Sequence, residues 1–304
     1  MLHWNIHSWR DDHKRPNHEA VEGLIRRTRP DVVSLTEVST PWGEPGPLAG
    51  LAERVGYRWV FVPALEWRGS PATEGYGNAL LTRLPILAVQ QWRVHSPDRY
   101  TNTEPTEPRT VALAQVDAGG TPVWVGSTHL PASQADDRAV ALRRLAGLLK
   151  GLATPWLVCG DFNTPARTWR EDLPDGVTVA PRGWRRATFP AHSPVRAIDY
   201  GLASPSLRTR GRVFRFHGSD HRAIFVSAGW DGTPPARPPR ACWRGGRAPA
   251  GQDAGGRVRS QTPVPGGSTS PDTGWLVARM ASCGGSSAGS ADTLITTVTS
   301  VPRR

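Results

Sequence analysis

The apolar positions of this chain change period several times, and the changes outline its elements. Met1 to Ile6 reads as a short strand ending at Asn5 and His7. Val21, Leu24 and Ile25 then recur at helical spacing, with Asn17 placed to cap the helix and Pro30 to stop it. Asp31 to Glu37 is a strand with an acid at its end. Leu48, Leu51, Ala52 and Val55 share one face of a second helix that closes at Gly56. Strands follow at Tyr57 to Val62, Gly77 to Leu81 and Ile86 to Trp92, the last two split by the turn at Leu84-Pro85. Arg109 to Asp117 and Val123 to His129 read as a hairpin around Gly119-Gly120. The best helix spans residues 135 to 152, where Val140, Leu145, Leu148, Leu149 and Leu152 line one side while Arg138, Arg143 and Arg144 face water. Trp156 to Asp161 is a buried strand, and a short helix near Trp169 precedes strands at 197 to 203, 212 to 217 and 222 to 228. Strands alternate with helices but hairpins intrude, which predicts an α/β (α+β) protein of mixed sheets with helices outside.

The pattern stops near Trp230. Residues 231 to 304 are crowded with glycine, proline and serine and sustain no period, so the predicted organisation is a body over 1 to 230 and an unstructured tail over 231 to 304. Leu294 to Val298 resembles a strand with nothing nearby to pair with.

The chain has 304 residues, 38% of them hydrophobic and 13 of them Trp, enough for a sizeable core. A formal charge of +11 would ordinarily point to nucleic acid, phosphoesters or anionic membrane. Here Lys14 and Lys150 are the only lysines; so strong an arginine skew reads as coding bias, and the charge is discounted. Cys159, Cys242 and Cys283 have no metal-binding spacing and form no disulfide framework; Cys159 reads as a small core residue. No apolar run reaches a transmembrane length, and no leader precedes the first motif. A cytoplasmic monomer is the default expectation, with an omitted upstream leader as the alternative.

Chemistry enters at the strand ends. Asp161 and Asn163 are two residues apart after a buried strand and a glycine, so both can aim at one reacting group. A lone GDxN more often caps a turn. Five further clusters lie at strand ends: Asn5, Glu37, Thr128-His129, Asp199 and Ser219-Asp220-His221; Arg109 opens another strand. Singly, each has an ordinary explanation as a cap, ion pair or satisfied core histidine. Together they supply what phosphoester hydrolysis needs: a cation for the nonbridging oxygens, an in-line water and neutral donors. Glu37 suits a hard Mg²⁺ ion, with Asp220 helping. Asp161 suits water activation. Asn5, Asn163 and His129 suit phosphate contacts, and Asp199 with His221 suits a carboxylate–imidazole pair.

In order and spacing, Trp4-Asn5-Ile6-His7, Leu35-Thr36-Glu37, Gly77-Asn78-Ala79, Thr128-His129-Leu130, Gly160-Asp161-Phe162-Asn163, Ile198-Asp199-Tyr200 and Ser219-Asp220-His221 resemble the endonuclease/exonuclease/phosphatase superfamily with the deoxyribonuclease I-like fold. The resemblance implies a four-layer α/β/β/α sandwich of two packed mixed β-sheets, a site at one edge, and a requirement for Mg²⁺ or Mn²⁺. It implies that Glu37 is the main metal ligand, with Asn5 close to metal and phosphate and Asp220 beside the metal. Asp161 would orient or deprotonate the water, Asn163 and His129 would hold phosphoryl oxygens, and Asp199 would pair with His221. Arg109 resembles a phosphate-contacting arginine. Two departures stand out: Thr36 replaces the glutamine of many members, and residues 231 to 304 have no counterpart.

The expected partner is a phosphoester, with DNA or RNA favoured. Arg182, Trp184, Arg185, Arg186 and the 95 to 108 loop with Tyr100 are the flanking groups a nuclease would use. A lipid or inositol phosphate phosphoesterase is the alternative, with Trp42 and Trp67 as apolar loop residues. A non-catalytic phosphate-binding module on the same fold would lack Glu37, Asp161 or His221, and all three are present.

Overall fold

The computed structural model describes residues 1–41, 46–67, 74–97, 107–152, 155–183, 186–215, 218–230 and 294–296. In chain order the strands are β1 (Leu2–Asn5), β2 (Val32–Pro41), β3 (Arg58–Trp67), β4 (Glu74–Thr82), β5 (Ile86–His95), β6 (Arg109–Asp117), β7 (Pro122–His129), β8 (Trp156–Asp161), β9 (Thr178–Ala180), β10 (Asp199–Ala203), β11 (Arg208–Val213), β12 (Ile224–Gly229) and β13 (Leu294–Thr296). The helices are α1 (His18–Thr28), α2 (Pro47–Val55) and α3 (Ala135–Lys150). One sheet has the order β11-β12-β1-β2-β4-β3, the other β13-β5-β6-β7-β8-β10-β9. Each sheet holds one parallel pair, β1/β2 and β7/β8. Parallel neighbours need a crossover, and α1 and α3 supply the two.

Period-two alternation sorts the side chains into layers. Val33, Leu35 and Leu81 pack outward against Leu24, Ile25, Leu48 and Leu51 of α1 and α2. Val111, Leu113, Val158 and Tyr200 pack outward against Leu142, Leu145 and Leu149 of α3. Between the sheets, Val32, Val62 and Leu80 meet Ala112, Val125, Leu157, Cys159 and Ala203. The result is the expected four-layer sandwich. Burial pushes the Cys159 thiol up to about 12, which fits its reading as an inert core residue. No helix among the described residues is long and apolar enough to cross a membrane.

Several elements differ from the sequence reading, each for a local reason. Asn17 occupies the position before α1, but its side chain makes no cap bond. Its amide instead donates to the carbonyls of Ile6, Arg10 and Gly218, at 3.0, 2.9 and 2.6 Å, and joins three loops. The helix ends on Arg29, in a left-handed conformation one residue before Pro30. On α3 the buried stripe is Ala141, Leu142, Leu145, Ala146 and Leu149, while Val140 and Leu148 are only half-buried. The strand expected at 212 to 217 is shifted to β11, and β9 was not anticipated. Leu294–Thr296 does find a partner: it pairs antiparallel with β5 through Ile295 and Gln90. The other residues of the expected tail lie outside the described ones.

Candidate active site

Strand register builds one half of the site. His129 on β7 and Asp199 on β10 both pair directly with Asp161 on β8. Residues directly opposite on neighbouring strands point to the same face. All three side chains therefore stand in a row on the inner face of the second sheet, where β7 and β8 end. Gly160 permits this, because a Cβ there would lie 2.2 Å from the Thr128 carbonyl oxygen of β7.

The other half comes from the first sheet by a different route. Asn5 ends β1, pairs with Thr36 and faces inward. Simple alternation would send Glu37 outward to the helices. Instead the β2/β4 register slips between Leu35 and Val38, and Glu37 adopts φ 57°. This bulge turns the Glu37 carboxylate inward, so that Oε1 accepts the Asn5 amide N–H at 2.9 Å. Glu37 thus lies in a mid-strand bulge, not at a strand end, because β2 continues to Pro41. Thr36 is fully buried, and its hydroxyl has no hydrogen-bond partner among the described residues.

The loop before β12 closes the site and is pinned to β1. Ser219 Oγ donates to the Asn5 carbonyl at 2.7 Å, and Trp4 Nε1 donates to the His221 carbonyl at 2.8 Å. His221 Nδ1 is 2.9 Å from Asp199 Oδ2. The two halves meet at Asp161 Oδ2, which lies 3.1 Å from Asn5 Nδ2, 3.5 Å from His221 Nε2 and 3.7 Å from His129 Nε2. Asn163 donates its backbone N–H to Asp161 Oδ1 at 2.8 Å. Its amide nitrogen lies 3.0 Å from His129 Nε2. Arg109 reaches the back of the same imidazole, NH1 being 3.1 Å from Nδ1, while NH2 pairs with Glu107 at 2.9 Å. An arginine can only donate, so His129 Nδ1 accepts from Arg109; in that tautomer the Nε2 hydrogen faces Asp161 Oδ2, and the Asn163 amide nitrogen, itself a donor, gives its hydrogen to the Leu130 carbonyl at 3.0 Å. Asp220 lies at the rim, 31% exposed, against Ser219 Oγ at 3.1 Å and His7 Nδ1 at 3.7 Å. Lys14 Nζ is 2.9 Å from the other nitrogen of His7.

Burial sets the electrostatics. It pushes the Asp161 carboxyl up to about 7; the His221 charge opposes this and the Asp199 charge adds to it. Burial alone would lower the His221 imidazole, but the Asp199 and Asp161 carboxylates raise it to about 10. Burial would raise Asp199, yet the charge and hydrogen bond of His221, with help from His3, hold it below its ordinary value. Burial and then Arg109 keep His129 well below the usual imidazole range, hence neutral. Asp161, Asp199 and His221 bring ligand-type atoms within 4.8 Å of one another. However, Asp199 and His221 are already bonded to each other, which makes them a poor cation cage. The better fit is at Glu37 and Asp161, whose carboxylate oxygens converge on the single Asn5 amide nitrogen. Glu37 is half-buried and Asp161 buried, and two hard carboxylate oxygens suit a hard divalent cation.

A sequence profile described as the Endonuclease/Exonuclease/phosphatase family matches residues 2–221. The chain belongs to that family. Among solved structures it is similar to a family protein from Leptotrichia buccalis, with TM-score 0.59 and 18% identity over 75% of this chain and 98% of that one. It is similar to the mannosyl-6-phosphatase of Bacteroides thetaiotaomicron, with TM-score 0.58 and 14% identity over 75% and 98% of the two chains. It is also similar to D. rerio TDP2 in complex with a single-strand DNA product, with TM-score 0.55 and 17% identity over 75% and 97%. No curated protein matches its sequence. These likenesses show the deoxyribonuclease I-like fold.

Every site residue expected from sequence lies in or beside this cluster. Two others were missed. Tyr76 is buried beside Arg109 and Glu37, and burial with the Glu37 charge pushes its phenol well above the usual range. His3 is fully buried behind Asp199. Each stands two residues before a motif asparagine, Asn78 or Asn5, and so shares its strand face; that spacing was the available signal. Asn78 itself donates to the Thr110 carbonyl at 2.8 Å and ties the two sheets together beside Arg109. Of the flanking groups, Trp42, Tyr100, Trp184 and Arg185, and the Trp67 side chain, lie outside the described residues.

Proposed function

We propose that the protein is a divalent-metal-dependent phosphoesterase that cleaves a phosphodiester by in-line attack of water. The observation that carries this reading is the convergence on Asp161 Oδ2 of Asn5, His221 and His129 from both sheets, within 3.1 to 3.7 Å. Asp161 is the base: a carboxyl near 7 is matched to taking a proton from water at neutral pH. His221, held charged by Asp199, directs its Nε2–H at the phosphoryl group and offsets the charge that develops there. His129 Nε2–H and the Asn163 amide hold nonbridging oxygens without adding charge, and Arg109 fixes the tautomer of His129. Glu37 and Asn5, with Asp220 at the rim, would hold Mg²⁺ or Mn²⁺. When bound, the ion neutralises the phosphoryl oxygens.

A wall next to His221 favours a nucleic-acid substrate. The half-buried Phe189 ring lies 4.9 Å from the His221 ring, and the Arg196 guanidinium lies 5.8 Å from the Phe189 centroid. An aromatic face with a cation over it suits a stacked base next to a phosphate. The fold does not choose the substrate, since it also serves a sugar phosphatase. The test is a panel with Mg²⁺ or Mn²⁺: single- and double-stranded DNA, RNA, sphingomyelin, inositol phosphates and a bis-aryl phosphate. Chelator-sensitive cleavage of nucleic acid is expected. Turnover confined to lipid or sugar phosphates would reject the substrate, and no turnover on any member would reject the activity.

A further inference from the structure

Behind the site, four fully buried polar residues stand together on the inner faces of the two sheets: His3 and Ser34 from the first, Ser127 and Asp199 from the second. A buried polar group is costly unless bonded, and each of these is. His3 Nε2 lies 3.2 Å from Asp199 Oδ1, and His3 Nδ1 lies 2.9 Å from Ser34 Oγ. Ser34 Oγ donates to Ser127 Oγ at 2.7 Å, and Ser127 Oγ to the Leu35 carbonyl at 3.1 Å.

The far end fixes the polarity of this chain. A carbonyl only accepts, so Ser127 donates to Leu35 and Ser34 donates to Ser127. A carboxylate only accepts as well, so His3 Nε2 carries the hydrogen given to Asp199 Oδ1, and Nδ1 rests against Ser34 Oγ. The two Asp199 oxygens are therefore divided between two imidazoles from opposite sides, Oδ1 to His3 and Oδ2 to His221. A carboxylate held at one oxygen can swivel. One held at both, by a ring that is itself clamped, presents Oδ2 to His221 in a single orientation.

We infer that His3, braced by Ser34 and Ser127, is a positioning residue that fixes the Asp199 carboxylate and through it the direction of the His221 ring. This rests on the proposed hydrolysis only for its kinetic consequence; the geometric claim stands apart from it. The experiment uses the full chain, ¹⁵N-labelled at histidine, and compares wild type with His3→Leu, His3→Gln and Ser34→Ala. Leucine fills the site without a donor, whereas glutamine puts an amide N–H near the place of Nε2.

In wild type, the hydrogen-bonded Nδ1 proton of His221 should give a sharp downfield resonance. It should broaden or move in His3→Leu and return in His3→Gln, with melting temperatures close to wild type. Turnover of a bis-aryl phosphate with Mg²⁺ should fall roughly ten- to a hundredfold in kcat for His3→Leu with KM little changed, recover in good part in His3→Gln, and fall by a smaller factor in Ser34→Ala. A folded His3→Leu protein with the His221 proton signal unmoved would overturn the inference, whatever the turnover. Wild type with the expected proton shifts but no turnover would leave the positioning intact and reject the hydrolysis.

Discussion

The two sheets reach the same cavity by opposite means. The second sheet does it with regular structure: unbroken register across β7, β8 and β10 lines up His129, Asp161 and Asp199. The first sheet does it with irregular backbone: a bulge and a left-handed Glu37 on β2, and three successive left-handed residues, His7 to Trp9, after β1. Regular pairing suits groups that pass or hold protons, where distances near 3 Å must not drift. Non-glycine residues at positive φ cost on the order of 1–3 kcal/mol each and persist only where their surroundings hold them. Here Trp9 Nε1 bonds the Ser39 carbonyl and Asn17 clamps the neighbouring loops. The irregular half carries Glu37, the main cation ligand of the proposed reading. In the proposed reading, a row of proton-handling groups on regular strands faces a cation site at Glu37 whose geometry is stored in the backbone.

The sharpest way to break that contrast is to remove the shared atom. Asp161→Ala and His221→Ala should each reduce turnover by at least about a hundredfold while near-UV circular dichroism and melting stay native. Near-normal turnover in either folded variant would remove the role given to that residue. The cation half predicts a different signature. Glu37→Gln should weaken Mn²⁺ binding, read by calorimetry, by roughly ten- to a hundredfold, and part of the lost turnover should return at high metal. Unchanged Mn²⁺ affinity would show that the bulge aims Glu37 for some other purpose.

A smaller effect separates the two halves by pH. In the proposed mechanism Asp161 works as the ionised base, so the rate should rise as pH passes its pKa, about 7 before a cation binds and lower once one does. In the same mechanism His221 works charged, so the rate should fall as pH passes about 10. In Asp199→Asn the carboxylate that raises His221 is gone, and the alkaline limb should move to lower pH while the acid limb, set mainly by burial of Asp161, moves less. An alkaline limb that stays in place would mean that His221 is not the group titrating there.

The same contrast explains what could be read before the fold was known. Strand-end motifs such as Gly160-Asp161 and Thr128-His129 were legible because regular strands keep period two, and their residues sit where that period puts them. Glu37 was legible as a chemical group but not as a conformation, because a bulge erases the period that would have located it. Asn17 had the look of a cap, yet long-range demand from Ile6, Arg10 and Gly218 outbid the helix end. His3 was invisible for another reason. Its meaning depends on Asp199, 196 residues away on the facing sheet, and no local pattern carries such a pairing.

The smallest expected effect concerns the last described strand. Among the described residues β13 pairs only with β5, and β5 is separated from β7 by β6, so its contact lies on the opposite side of the second sheet from the β8/β10 end of the row. A chain ending at Trp230 should therefore keep its kcat and KM. Its melting temperature should fall only slightly, since three paired residues are lost from one edge. What the truncation does expose is the free edge of β5, and unpaired edges invite pairing between copies. Size-exclusion chromatography alongside the kinetics separates the outcomes. A monomer of unchanged turnover confirms that catalysis resides in residues 1–230, whereas aggregation or lost turnover would show that the last strand belongs to the working fold.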